Sequence, residues 1–111
     1  MNENTIFNFA DCSVKPQLGV YGNGNIAMQL VDAETGEPIA VATVNPGFEL
    51  PRGFIGVKDW SENEGMVEAL LAAGIIDEVT TKVPSGYVSI PICRLTKGAL
   101  EFIDNFLDAQ G

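Results

Sequence analysis

No histidine occurs among the 111 residues. That absence removes the commonest general base, the commonest metal ligand and any Ser-His or Cys-His nucleophile pair. Cysteine is nearly as scarce. Cys12 and Cys93 stand 81 positions apart, with no C-x-x-C spacing and no further thiol to complete a zinc site, so no metal is expected. Both fall in expected strands, which leaves a disulfide geometrically open; two small buried hydrophobes in a reduced compartment is the preferred reading. Cations are few as well. Six Lys and Arg against 15 Asp and Glu leave a net charge of −9. A surface so acidic repels nucleic-acid phosphates and anionic lipid heads, which disfavours both as partners, whereas a protein with a basic surface is favoured. No apolar run approaches the roughly 18 to 20 residues of a membrane span. The first nine residues carry no basic segment leading into an apolar one. The expectation is a cytoplasmic protein. There is no Walker sequence and no G-x-S-x-G elbow, so no cofactor is expected.

What is present suits one globular domain over residues 1–111: 46% of positions are hydrophobic, enough for a single core without staples. Alternation of period two dominates the first half. It predicts a strand within Thr5–Lys15, ended by Pro16, and another around Leu18–Tyr21. Gly22-Asn23-Gly24 tolerates positive φ and suits a hairpin turn into Ile26–Val31. After the polar turn Asp32–Glu37 an extended run, Ile39–Val44, completes a meander. Two prolines and two glycines mark Asn45–Gly53 as an irregular loop before a short strand, Phe54–Lys58.

The period then changes. Ser61 and Glu64 have capping-box spacing, and Met66, Val67, Leu70 and Leu71 recur at helical intervals up to Gly74, predicting a helix over Glu62–Ala73. Ile75–Lys82 and Tyr87–Arg94 form a second hairpin around Pro84-Ser85-Gly86, in which Val88, Ile90 and Ile92 share one face. Pro91 cannot donate to a ladder, so its nitrogen belongs at an edge or bulge. Thr96 can cap a last helix, Lys97–Ala109. Its stripe of Leu100, Ile103, Phe106 and Leu107 either covers the sheet, the favoured reading, or forms a homodimer surface. The fold class is α+β: an antiparallel sheet of five to six strands, meander plus hairpin, with one or two helices packed on one face.

Functional candidates concentrate in Lys58-Asp59-Trp60-Ser61-Glu62-Asn63-Glu64. Capping accounts for Ser61 and Glu64, and Glu62 complements the helix dipole. Asp59, Trp60 and Asn63 are less explained, and with Glu62 they form the expected partner-binding set. No catalytic residue is assigned. Among 15 acids some carboxylate pairs fall close by chance, and none has a basis for a raised pKa.

Several segments in order carry a resemblance: Tyr21-Gly22-Asn23-Gly24, Ile26-Ala27-Met28-Gln29-Leu30-Val31-Asp32, Ala42-Thr43-Val44-Asn45, Lys58 to Met66 with its Ser-Glu-Asn-Glu-Gly run, Ala73-Gly74-Ile75, and Gly86-Tyr87-Val88 through Pro91 to Leu95. Together they resemble a bacterial family catalogued as a domain of unknown function (number 4313), over about Val14 to Leu95, with the C-terminal helix as an extension. The resemblance implies a setting, bacterial chromosomes, plasmids, conjugative elements and phages, and no particular activity. The leading expectation is a non-enzymatic protein acting by protein–protein contact. The alternatives are an inhibitor of a host defence nuclease (anti-restriction or anti-CRISPR) by acidic mimicry, and a carboxylate-dependent hydrolase or ligand binder with a pocket beside Trp60.

Overall fold

The computed structural model describes Met1 and residues 5–110. It is an α+β structure in which every strand pairing is antiparallel. The first sheet holds β1 (Phe7–Phe9), β2 (Cys12–Val20), β3 (Ile26–Asp32) and β4 (Pro38–Val41) in sequential order. The second holds β5 (Phe54–Gly56), β6 (Ile76–Ser85) and β7 (Val88–Leu95), with β7 in the middle. Helix α1 spans Met66–Ala72 and α2 spans Lys97–Gln110.

Two expectations change at the start of the chain, and a third in the sheet count. Thr5–Lys15 is not one strand: β1 and β2 form a hairpin whose turn places Ala10 and Asp11 at φ 51 and 63, without glycine. Pro16 does not end a strand either. Ser13 accepts from Ala33 and Tyr21 donates to Asn25, so the odd residues of β2 face β3. Pro16 therefore turns its donorless nitrogen to the other side, past Phe7, the last paired residue of β1, where no ladder bond is lost. The expected single sheet of five to six strands is instead seven strands in two sheets.

The two sheets are stitched at one point. Beyond β4 the chain changes partners: Thr43 bridges Val57, Val44 donates to Gly56 at 3.0 Å, and Lys58 donates to Ala42 at 2.9 Å. The Ala42 carbonyl thus serves Lys58 while the Ala42 amide still bonds Met28 at 2.9 Å. The Met28 amide is served by the Thr43 hydroxyl at 2.9 Å, and the Tyr21 hydroxyl bonds the same oxygen at 3.1 Å. Gly56 permits the close approach, because a Cβ there would sit 2.6 Å from the Val44 carbonyl oxygen. Pro91, the expected edge or bulge residue, lies in the central strand just past the end of β5 and offers only its carbonyl to Val57.

The even-numbered residues of β2 and β3 supply Val14, Met28 and Leu30 to the core, where they join Ile55, Cys93 and Leu95 of the second sheet. Both helices contribute to this one core, α1 through Met66 and Leu70, α2 through Ala99 and Ile103. Full burial of each such aliphatic side chain is worth about 1.5–3 kcal/mol. Two helix ends behave as the sequence indicates. Gly74, at φ 73, closes α1 while Ile75 donates to Leu70 and Gly74 donates to Leu71. The Thr96 hydroxyl accepts from Ala99 at 3.2 Å and donates to the Gly74 carbonyl at 2.7 Å, tying the start of α2 to the end of α1. Cys12 and Cys93 are both free thiols.

Thr43→Val keeps the side-chain shape but leaves the Met28 amide without an acceptor. It should cost about 1–3 kcal/mol in denaturant unfolding, while Thr43→Ser should retain most of the stability. A larger loss in Thr43→Ser than in Thr43→Val would show that the methyl, not the hydroxyl, matters.

Candidate functional site

The strand-to-helix segment after β5 begins with Lys58, whose ammonium pairs with Glu62 at 2.7 Å. That hydrogen bond holds the Glu62 carboxyl below the usual carboxylate range. The expected capping box is not formed. Ser61–Asn63 is a single 3₁₀ turn with no side-chain cap, Ser61 sits at φ 55, and Gly65 at φ 94 redirects the chain before α1 starts at Met66. The predicted helix over Glu62–Ala73 is therefore shorter by its first turn. Its capping acceptor is Asp59, whose carboxylate accepts from the Val67 amide at 3.0 Å.

Asn63 explains why the segment folds inward. It is 2% exposed, and its amide donates to the carbonyls of Val41 at 2.7 Å and Lys58 at 3.2 Å. These bonds fasten the segment beside the point where the sheets join. Of the four expected partner-binding residues, Asn63 is thus interior and Asp59 is half-buried at a helix start. Trp60 is half-buried and Glu62 is exposed. The four are brought into one segment, with Glu62 the most exposed and Asn63 buried. Trp60 lines neither the cavity between residues 49–54 and α2 nor the shallow groove on the outer face of β2 and β3.

The most exposed feature is the distal part of the β6–β7 ribbon. Between Ile76 and Ile90 no residue of the β6–β7 ribbon is buried, and Tyr87, beside the turn at Gly86, is fully exposed. The available signal was parity: with Val88, Ile90 and Ile92 on one face, Tyr87 and Ser89 fall on the other. The ribbon's base is charged, with Arg94 bonded to Asp77 at 2.8 Å and to Glu78 at 3.1 Å, which raises the guanidinium pKa. From Val79 to Cys93 the single charged residue is Lys82. The distal ribbon is therefore nearly neutral on a molecule of net charge −9.

Compared with known proteins, no family model matches the chain, and no curated protein and no solved structure matches it either.

Two outcomes follow from this geometry. Asn63→Ala should destabilise by about 1–3 kcal/mol and Asp59→Ala by about 1 kcal/mol, whereas Ser61→Ala should stay within about 0.5 kcal/mol. A Ser61 loss as large as that of Asp59, measured by thermal unfolding, would restore the capping box.

The second outcome concerns Cys93. Burial first, then the charge of Asp59, push its thiol from the ordinary 9.0 to about 11. The folded protein holds this proton more tightly than the unfolded chain. Its contribution to stability is therefore intact below pH 9.0 and lost as pH rises toward about 11. Chemical denaturation across that window should show the decline, and a Cys93→Ala variant should lack this component. A disulfide reagent should label Cys12 well before Cys93.

Proposed function

We propose that this protein acts without catalysis, by binding another protein through the distal β6–β7 ribbon, and that its partner presents a basic surface. The observation that carries the reading is Tyr87, fully exposed on a ribbon with no buried residue between Ile76 and Ile90. A side chain without packing partners adds little to stability, whereas exposed tyrosines and few charges are what the centre of an interface needs. The remainder of the surface supplies the second element. Arg52, Lys58 and Arg94 are tied to acids, while exposed Glu34, Glu37, Glu64 and Glu68 have no ion-pair partner among the described residues. Such an acidic surround speeds encounter with a basic protein and repels acidic competitors.

The resemblance to the mobile-element family supports a bacterial setting, and the composition supports the cytoplasm. No helix among the described residues is long and apolar enough to cross a membrane. The hydrolase alternative receives less support: of the carboxylates lining the cavity beside α2, Glu49 is exposed and Asp104 is paired with Arg52.

Tyr87→Ala separates binding from folding. The thermal midpoint should move by no more than about 1 °C, while a bacterial protein retained by the tagged wild type should be retained roughly tenfold less. Retention should also weaken in about 0.5 M salt. Undiminished retention by Tyr87→Ala, or the absence of any specific retained protein, overturns the proposal.

A further inference from the structure

A cavity of about 210 Å³ lies between the turn at Asn25, the segment Glu49–Phe54 and helix α2, and it opens on one side to solvent. Only Leu95, at the foot of β7, reaches it from the ribbon, and no residue of the distal ribbon does, so what it binds is a separate question. Its walls are apolar, with Leu50, Phe54, Leu100 and Leu107 among them. Asn25 also lines it, with both amide hydrogens engaged. Its amide donates to Asn45 at 3.1 Å and to the Phe48 carbonyl at 2.9 Å, and its side-chain oxygen accepts from Leu50 at 2.8 Å. An apolar cavity of about 150 Å³ already holds a benzene molecule. This one has room for a phenyl ring with a short alkyl chain.

Charge enters only through the cavity's three ionic residues, and there it is unbalanced. Arg52 and Asp104 form an ion pair between the loop and the helix, engaging one oxygen of the carboxylate. Glu49 is exposed and has no ion-pair partner among the described residues. Two carboxylate residues and one guanidinium that is already engaged thus line the cavity, on a chain whose net charge is −9. A ligand anion would meet no free cation. A ligand ammonium would meet Glu49 and the second oxygen of Asp104, and its approach would be favoured at long range.

We propose that this cavity is a binding site for a small arylalkylamine: a phenyl-sized apolar body enclosed by Leu50, Phe54, Leu100 and Leu107, with its ammonium at Glu49 and Asp104. The walls select for size and hydrophobicity, the rim for positive charge.

Three probes of nearly equal body and different charge test this: phenethylammonium, 2-phenylethanol and 3-phenylpropionate, each titrated into the labelled protein and followed through backbone amide NMR signals. Phenethylammonium should shift signals confined to Asn25, residues 50–54 and residues 100–107. It should bind about three- to tenfold more tightly than the alcohol, with the acid weakest and the gap narrowing at high salt. Leu100→Trp, which fills the cavity, should abolish the shifts. Should that variant not fold, Glu49→Gln serves instead, because the side chain lies on the surface; it should reduce the preference for amine over alcohol about threefold. Scattered or absent shifts, equal affinity for the three probes, or preference for the acid would each overturn the proposal.

Discussion

The structure depends on how one strand leaves a sheet and joins another without stranding its backbone polar groups. A strand that changes partners breaks a ladder, and each buried amide or carbonyl left without a partner costs about 1–3 kcal/mol. At Ala42–Thr43 the Ala42 carbonyl goes to Lys58, which orphans the Met28 amide, and the Thr43 hydroxyl takes its place. The Tyr21 hydroxyl bonds the same oxygen, and the Asn63 amide occupies the adjacent Val41 carbonyl. The missing side chain of Gly56 lets the two backbones approach. Four chemically different residues answer one geometric demand, and the position of the Asp59–Asn63 segment follows from it.

A second polar network holds the next loop. Asn23, Asn25 and Asn45 bond one another, and Asn25 fixes Phe48 and Leu50 through their backbone groups. A loop with two prolines and two glycines is thereby given one shape, and a wall of the cavity beside α2 is set before any ligand arrives. Binding to a wall already formed costs less ordering entropy than binding to a loose one. The Arg52–Asp104 pair ties this wall to the helix opposite.

Local chemistry was legible where the answer was local. The Gly22–Gly24 turn, the Gly74 stop, the Thr96 cap and the period of α2 each depend on residues within one turn of one another. The capping box at Ser61 and Glu64 has the same local form, yet it lost to a distant demand. Asn63 must reach Val41, 22 positions away, and that bond draws the chain into a 3₁₀ turn before α1 begins. Pro16 reads as a strand end on sequence alone, yet a proline breaks a ladder only where a neighbour waits for its amide, and the length of β1 is not written in Pro16. The same limit applied to the site. Asp59 and Asn63 looked like contact residues because they are polar and follow a strand, but polarity does not distinguish an outward group from one that binds a buried backbone. For Tyr87 the parity of β7 alone places the side chain outside.

The ribbon's own edge restricts how a partner can engage it. Val57 donates to the Pro91 carbonyl, so Pro91 directs its backbone toward β5, and its register partner Lys82 directs its own away from β7. Two residues on, Pro84 faces the same open side and has no amide to offer. Register shifts between Ile76 and Glu78 and between Val79 and Thr81 interrupt the edge nearer its base. An added strand would therefore meet a lysine, a proline and a broken ladder, the devices by which sheet edges resist pairing with other chains. Under the proposed function the contact must run through side chains at the tip rather than through the backbone. Specificity then rests on a pocket in the partner that accepts Tyr87, while the acidic body governs the rate at which the two meet.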